Sequence, residues 1–331
     1  MAKVANIGRG WGSRVQGPAF QEAGLDVIAV AGRDRDWHEL IDSEADLISI
    51  TVPPLQHAEM AIAALEAGKH VLSEKPTARD VTEAERMVAM ARQHPNQLAL
   101  IDHELRFTPS YLAAREEVRS LGGIRYIEMR YCSASRGDRS RGWNWWSDAE
   151  QLGGVLGAVG SHFADAVRYL TGEEIVAVQA TLETMIKERS GREVTSDDMS
   201  VVNLRLSSGA LAFMSLSAIA SGSDEPSTIT IYGEKAALRL VNEELLRNGT
   251  RIAGNDVVKR PGNTMGGAFG SGTLHLGRAL KRALDDGDRA ALAPAATFED
   301  GLEQQRVLDA ARASHARGGE WVATSSLSPS P

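Results

Sequence analysis

The sequence predicts an α/β protein of two domains: an N-terminal domain built on a parallel sheet, and a C-terminal α/β domain with an open, mostly antiparallel sheet. Three observations predict it. The chain has 331 residues, more than the roughly 100–200 of one domain. Strand-type and helix-type segments alternate through its first third. Beyond that point strand-type segments follow one another with few helices between. With 43% hydrophobic and 24% charged residues, the composition is that of a globular chain able to bury a large core without disulfide staples.

Residues 3–7 (KVANI) form a short strand that runs into glycines. Residues 25–31 and 46–52 are apolar strands, the second stopped by Pro53-Pro54. Residues 57–67 form a helix with Gly68 as its C-cap, and 69–73 a strand. Asp80 and Glu83 make a capping box for a helix with Val81, Ala84, Val88 and Ala91 on one face. Residues 97–101 close the series. Alternation of this kind implies parallel strands joined by right-handed crossovers. Between residues 31 and 46 there is room for only one helix, 37–44. A complete Rossmann half would need roughly 20 residues more there, for a helix and the outermost strand. The N-terminal domain, 1–107, is therefore read as a shortened Rossmann domain, lacking about one helix and an edge strand. Its second strand is left at the sheet edge.

Residues 108–324 make the second domain. A helix over 109–119 precedes Gly122-Gly123, and strands follow over 124–131 and 175–182. Residues 199–206 and 210–217 flank Ser207-Ser208-Gly209 as a hairpin, as do 227–232 and 236–240 about Gly233-Glu234-Lys235. Residues 298–313 form an amphipathic helix. The Ser/Pro-rich residues 325–331 are expected to be disordered. The glycine-rich stretch 261–272 lacks the G-K-[ST] of a phosphate loop and reads as a flexible loop. Asp197 and Asp198 read as a solvated turn before a strand.

The formal net charge of −8 disfavours a dedicated nucleic-acid binder. The single cysteine, Cys132, excludes an internal disulfide and a zinc-ribbon site. No apolar run approaches the roughly 20 residues of a membrane span, and the N-terminus offers no signal-type apolar segment. The expectation is a cytoplasmic protein with no metal and no nucleic-acid or membrane partner.

Gly8 and Gly10 stand at the first strand-to-helix turn, where a dinucleotide fingerprint requires them. Gly8 makes the tight turn, and Gly10 lets the backbone approach a pyrophosphate. The following helix start supplies free N–H groups. Arg9, Trp11, Gly12, Ser13 and Arg14 complete the loop, with Ser13 where the strict motif has its third glycine. The acid that would bind a ribose 2′-hydroxyl falls at Gly32, followed by Arg33. Glycine leaves room for a 2′-phosphate and arginine can pair with it, so NADP is preferred over NAD. The other reading of Arg33 is a solvated loop residue or an adenine-stacking one.

Glu74-Lys75-Pro76 ends a parallel strand on the side where open α/β sheets bind ligands. Lys75 can protonate a carbonyl or, once deprotonated, accept a hydroxyl proton. His162 falls near the start of a helix, and Asp165 one turn on can orient its ring. A surface lysine and a structural His–Asp hydrogen bond are the plainer readings of these residues.

These residues carry a resemblance. The start GRGWGSRVQGP, the run TVPPLQHAEMAIAALEAGKHVLSEKP, the segment GGVLGAVGSHFAD and the late TFEDGLEQQRVLDA resemble the glucose–fructose oxidoreductase/inositol dehydrogenase (Gfo/Idh/MocA) family. The similarity runs over nearly the whole chain. It implies hydride transfer between a nicotinamide and a sugar, polyol or related hydroxy compound, in a homodimer or homotetramer. By match, Lys75 takes the role of the family's catalytic lysine and His162 that of its active-site histidine. Thr51, Pro53 and His57, with Glu74, match the cofactor-lining segments. His103 and Arg106 become candidate substrate contacts, with solvated loop residues as the alternative. Trp145, among Trp143, Trp146, Arg136, Arg139 and Arg141, either lines a sugar pocket or anchors a long loop. Ala158 departs from the pattern, because many family dehydrogenases have Asp four residues before the histidine; Asp165, His103 or Glu104 are the candidate replacements. Two rival functions share the cofactor site: a glycoside hydrolase working by transient oxidation with NAD, and a non-catalytic nucleotide sensor. Retention of both Lys75 and His162 speaks against the sensor.

Overall fold

The computed structural model describes residues 1–32, 34–220, 227–241, 243–254 and 267–327. The chain forms two units: 1–78, 83–112 and 255–302 make the first, and 79–82, 113–254 and 303–331 the second.

In the first unit, β1 (Lys3–Ile7) passes through a π-helical turn (Gly12–Gln16) into α1 (Gly17–Ala23). Then come β2 (Asp26–Ala31), α2 (His38–Ile41), β3 (Leu47–Ile50), α3 (His57–Glu66), β4 (His70–Ser73), α4 (Val81–Gln93) and β5 (Ala99–Ile101). These five strands pair in parallel in the order β5-β4-β3-β1-β2. β3 is buried along its whole length, as a parallel strand covered on both faces must be. β2 ends the sheet, and five of its six residues are part-exposed. Among the described residues no strand lies beyond it, which is the shortened half the spacing predicts.

In the second unit, α5 (Pro109–Val118) leads to β6 (Ile124–Cys132), α6 (Ser161–Thr171) and β7 (Ile175–Glu183). A small hairpin, β8 (Glu188–Arg189) and β9 (Arg192–Glu193), precedes β10 (Met199–Leu206), β11 (Leu211–Ser217), β12 (Thr228–Gly233), β13 (Ala237–Val241), β14 (Glu244–Arg247) and β15 (Thr250–Gly254). The chain ends with α7 (Ala268–Asp285), β16 (Ala296–Thr297), α8 (Phe298–Ala316) and β17 (Val322–Ala323). The large sheet runs β15-β14-β13-β12-β6-β11-β10-β7-β17, antiparallel at every pairing except β6 with β11. Its strands alternate: Ile127, Met129, Val202, Leu204, Ile229 and Ile231 are buried, while Tyr126, Val201, Leu211 and Tyr232 are exposed.

The division at residue 107 is corrected by α7 and β16, which belong to the first unit. Leu276, Ala279, Leu280 and Ala283 of α7 pack in one core with Phe20, Leu25, Leu72 and Leu100. Gly277 permits this, since a Cβ there would stand 2.9 Å from the Phe20 ring. β16 adds to β5 antiparallel. Periodicity reveals a helix but not the sheet it lands on. The loop expected over 261–272 is corrected at its end, because 268–272 open α7, whereas 261–266 lie outside the described residues. The tail is corrected in part: 325–327 belong to a 3₁₀ turn (Thr324–Leu327), and 328–331 lie outside the described residues. β14 and β15 escape the sequence reading, as do β8, β9, β16 and β17, which are only two residues long. Among the described residues no helix is long and apolar enough to cross a membrane.

Candidate active site

The ends of β1, β3, β4 and β5 in the first unit carry Gly8, Thr51, Glu74 and Asp102. Gly8 has φ +121°, and a Cβ on it would stand 2.5 Å from Thr51 Oγ1 and 2.6 Å from the Thr51 carbonyl oxygen. The Thr51 hydroxyl donates to the carbonyls of Ile7 (3.1 Å) and Gly8 (2.9 Å), and Asn6 Nδ2 donates to the Gly12 carbonyl at 3.2 Å. The loop is thus tied to β1 and β3 from below. At Gly10 the Cβ direction is open, with nothing within 4 Å, so its backbone can be approached. Trp11 Nε1 is buried and has no hydrogen-bond partner among the described residues. The open backbone and the orphaned indole N–H fit an anionic dinucleotide lying across this turn.

The basic side chains of the loop are engaged. Arg14 Nε donates to the Gly10 carbonyl at 3.1 Å, and the Ser13 hydroxyl donates to the Arg9 carbonyl. Arg9 pairs with Asp34 at 2.6 Å, both exposed, and its stem lies 3.2 Å from where a Gly32 Cβ would be. Arg33 lies outside the described residues.

Three carboxyl groups surround Lys75. The Glu74 N–H bonds the Ile50 carbonyl (2.9 Å) and the Asp102 N–H the Ser73 carbonyl (2.7 Å), which sets the two residues on adjacent strand ends. Their carboxyls are hydrogen-bonded to one another. Fully buried Gln16 donates from Nε2 to Asp102 Oδ2 at 2.5 Å and to Glu74 Oε1 at 3.4 Å, and its Oε1 accepts from the Ser49 hydroxyl. Glu104 is buried at the start of a 3₁₀ turn. Glu104 Oε2 and Asp102 Oδ1 are both buried without a partner among the described residues. Burial pushes the Asp102 carboxyl up to about 6, against the pull of Gln16, Glu74 and the Lys75 charge. Burial, then the charge of Asp102, pushes Glu74 and Glu104 well above the usual carboxylate range. Lys75 itself is half-buried, and its peptide bond to Pro76 is cis.

His57 holds the turn that carries Lys75. Its ring is fully buried, with Nδ1 3.0 Å from the Pro76 carbonyl and Nε2 2.8 Å from the Val52 carbonyl. Burial lowers its pKa, so the ring is neutral and donates to one of the two.

In the second unit, His162 and Asp165 are both buried on α6, which follows a π-helical turn over Leu156–Gly160. Asp197 fixes the entry to that turn: its Oδ2 accepts the Leu156 N–H at 2.8 Å and the Ser200 hydroxyl, and its carbonyl accepts the Val155 N–H at 2.9 Å. Gly154 faces Asp197 with φ +92°, where any side chain would collide with it. Asp198 accepts the Met185 and Ile186 N–H groups at 2.9 and 2.8 Å. The solvated turn expected at Asp197-Asp198 is therefore corrected: both are buried caps. Trp145 is half-buried in a 3₁₀ turn over Trp145–Ser147. Among the described residues no group of three His, Cys, Asp or Glu side chains is placed to hold a metal ion.

Residues 33–101 match the oxidoreductase family with an NAD-binding Rossmann fold, and residues 111–239 match the GFO/IDH/MocA C-terminal domain. An uncharacterized oxidoreductase of Synechocystis sp. is 32% identical over 270 residues, 73% of this chain and 72% of its own length. The chain belongs to the Gfo/Idh/MocA oxidoreductase family. An oxidoreductase domain protein from Kribbella flavida is 27% identical in sequence and superposes with a TM-score of 0.84 over 98% of this chain and 100% of its own. A levoglucosan dehydrogenase in complex with NADH and levoglucosan superposes with a TM-score of 0.83 over 98% and 99% of the two chains; at 22% identity it establishes the shared fold.

Within this Gfo/Idh/MocA fold, the first unit brings together Gly8, Gly10, Gly12, Thr51, Glu74 and Lys75. Three expected contacts acquire different work. Thr51 directs its hydroxyl into the glycine loop, and His57 directs its ring into the Lys75 turn, so both position the cofactor segment from behind. Arg106 is buried against Asp300 (3.3 Å) and the Pro294 carbonyl (3.5 Å), contacts that anchor the segment around β16. Pro53 opens the 3₁₀ turn ahead of α3, and His103 is buried beside Asp102. Ala158 lies in the π-helical turn before His162. Gln16, Ser49 and Asn6 escaped the sequence reading. The available signal was polarity in the wrong place: Asn6 and Ser49 interrupt otherwise apolar strands, and a buried polar group needs a partner.

Proposed function

We propose that the chain is an NAD(P)-dependent dehydrogenase transferring hydride between a nicotinamide and a sugar, polyol or related hydroxy compound. The observation that carries this reading is Lys75 at the end of β4, on the same sheet edge as the open glycine turn, with the carboxyls of Glu74, Asp102 and Glu104 interacting with its charge. When bound, the nicotinamide supplies the hydride acceptor or donor. In the oxidative direction the Lys75 amine takes the substrate hydroxyl proton, and His162 hydrogen-bonds the reacting oxygen. Glu74 and Asp102 share one proton and keep one negative charge near Lys75, which stabilises the ammonium formed by that transfer. Lys75→Met should bind cofactor normally and lose turnover by about 10²–10⁴-fold. Near-normal turnover in that variant would refute the assignment.

The cofactor reading favours NADP. Gly32 itself carries no carboxylate, while Asp34 Oδ1 stands 3.3 Å from where a Gly32 Cβ would be; Arg9 lies over the same spot within reach of a 2′-phosphate once it exchanges Asp34. Fluorescence titration should give tighter binding of NADPH than NADH; the reverse order assigns NAD. A homodimer or homotetramer built through the open sheet face belongs to the same reading. Tyr126 and Tyr232 stack there at 6.0 Å, and Met199, Val201 and Leu211 extend the exposed apolar surface. A chain with one cysteine suits a reducing, cytoplasmic location, and fractionation of the host cell tests that.

A further inference from the structure

The segment between β6 and Trp145 gathers arginines that nothing so far uses. Arg136 lies flat on the Trp146 indole, its Cζ 4.2 Å from the ring centre. Arg189, from β8, donates to the carbonyls of Asp138 and Arg136, and Arg141 donates to the Ser135 carbonyl. Those two guanidiniums are held in place by backbone oxygens. Among the described residues no carboxylate pairs with Arg136, Arg141 or Arg189 within ion-pair distance. Asp138, the nearest acid in sequence, turns its Oδ1 to the Ser140 N–H and hydroxyl, both at 2.8 Å. The Arg136 guanidinium makes no hydrogen bond to the described residues. Partial burial, then the charges of Arg141 and Arg189, pull its pKa down to about 10.

This platform is built into the segment that leads to His162. The carbonyls of Trp145, Trp146 and Asp148 close on Gly153, where a Cβ would stand 2.5–2.7 Å from them. The Ser196 hydroxyl donates to the Trp146 carbonyl at 2.7 Å, and neighbouring Asp197 caps the turn that enters α6. Gly154 opens the helical run that carries His162.

We propose that Arg136 on Trp146 is an anion subsite, and that the substrate is a sugar derivative carrying a carboxylate or a phosphate. An oxyanion would take two parallel N–H bonds from the guanidinium fork while Trp146 covers the other face. The inference rests on the dehydrogenase reading for its substrate, but the subsite is testable without turnover. In calorimetric titrations of the full chain, gluconate or glucose 6-phosphate should bind about tenfold or more tighter than glucose. Preference for gluconate identifies the carboxylate, and preference for the phosphate ester identifies the phosphate. Arg136→Gln, with the circular dichroism of the wild type, should bring the charged ligand down to the affinity of glucose. Arg136→Lys should recover part of the difference. Equal affinities in the wild type, no binding of either anion, or a preference that survives in Arg136→Gln would each overturn the proposal. Lys75→Met should leave anion binding intact, so loss of turnover and loss of the subsite are read separately.

Discussion

In the first unit β3 is buried at every residue, and Asn6, Ser49, Ser73 and Asp102 are buried on or beside it. In the second unit β10 alternates strictly from Met199 to Leu206, and Asn203 and Arg205 simply take the open face. The contrast concerns what a polar residue means. On a half-open sheet a polar side chain has water, and its presence carries no message. In a sheet covered on both sides it costs several kcal/mol unless hydrogen-bonded, so each one there marks a constructed network. Three of these polar residues tie into the glycine loop and the helix turn behind it: Asn6 to Gly12, and Ser49 and Asp102 to Gln16.

The largest test of this contrast is Gly8→Ala. A Cβ at φ +121° strikes the Thr51 backbone, which cannot move without β3. The variant should lose about 2–4 kcal/mol in denaturant unfolding, together with cofactor binding. A loss below about 1 kcal/mol would show the loop to be soft and the two sheets alike in tolerance.

Asp102→Asn sharpens the comparison through pH. The folded carboxyl titrates near 6, above its usual 3.8, so the folded chain holds this proton more tightly than the unfolded chain. The stability it contributes is complete below about pH 4 and is lost as pH rises through 6. Thermal melts should therefore show Asp102→Asn gaining on the wild type between pH 4 and pH 7, by about 1–3 kcal/mol at the upper end. A constant difference across that range would mean that Asp102 titrates as an ordinary exposed acid.

The smallest effect on the fold belongs to the open sheet. Val201→Asp faces outward and should leave the far-UV circular dichroism unchanged while the sedimentation coefficient falls, as the proposed assembly through this face requires. An unchanged sedimentation coefficient would remove this face as the interface.

The parts of the molecule legible in its sequence are those set by local rules. The strand and helix alternation, the glycine turn, the edge position of β2 and the hairpin of β10 with β11 all follow from periodicity, spacing and turn residues. Lys75 was legible because a strand end next to a proline fixes its place. Arg106 was not: an arginine after a strand reads as a ligand contact until Asp300, far along the chain, is known to lie against it. Asp197 reads as a turn residue until Leu156 is found to donate to it. Both involve partners distant in sequence, and no local pattern encodes them. α7 shows the same limit at the level of whole elements, since its apolar face fits either sheet.

The Gln16 side chain takes its orientation from Ser49. A side-chain amide is ambiguous by nature, one end giving hydrogen bonds and the other taking them. The Ser49 hydroxyl claims the taking end, so the NH₂ end is left pointing at Asp102 and Glu74. The direction of the whole chain of bonds is thereby decided by one hydroxyl on β3, at the opposite end from Lys75. Both oxygens that meet Gln16 are held as receivers of its hydrogen bonds. The polarity of the site is set by the fold itself.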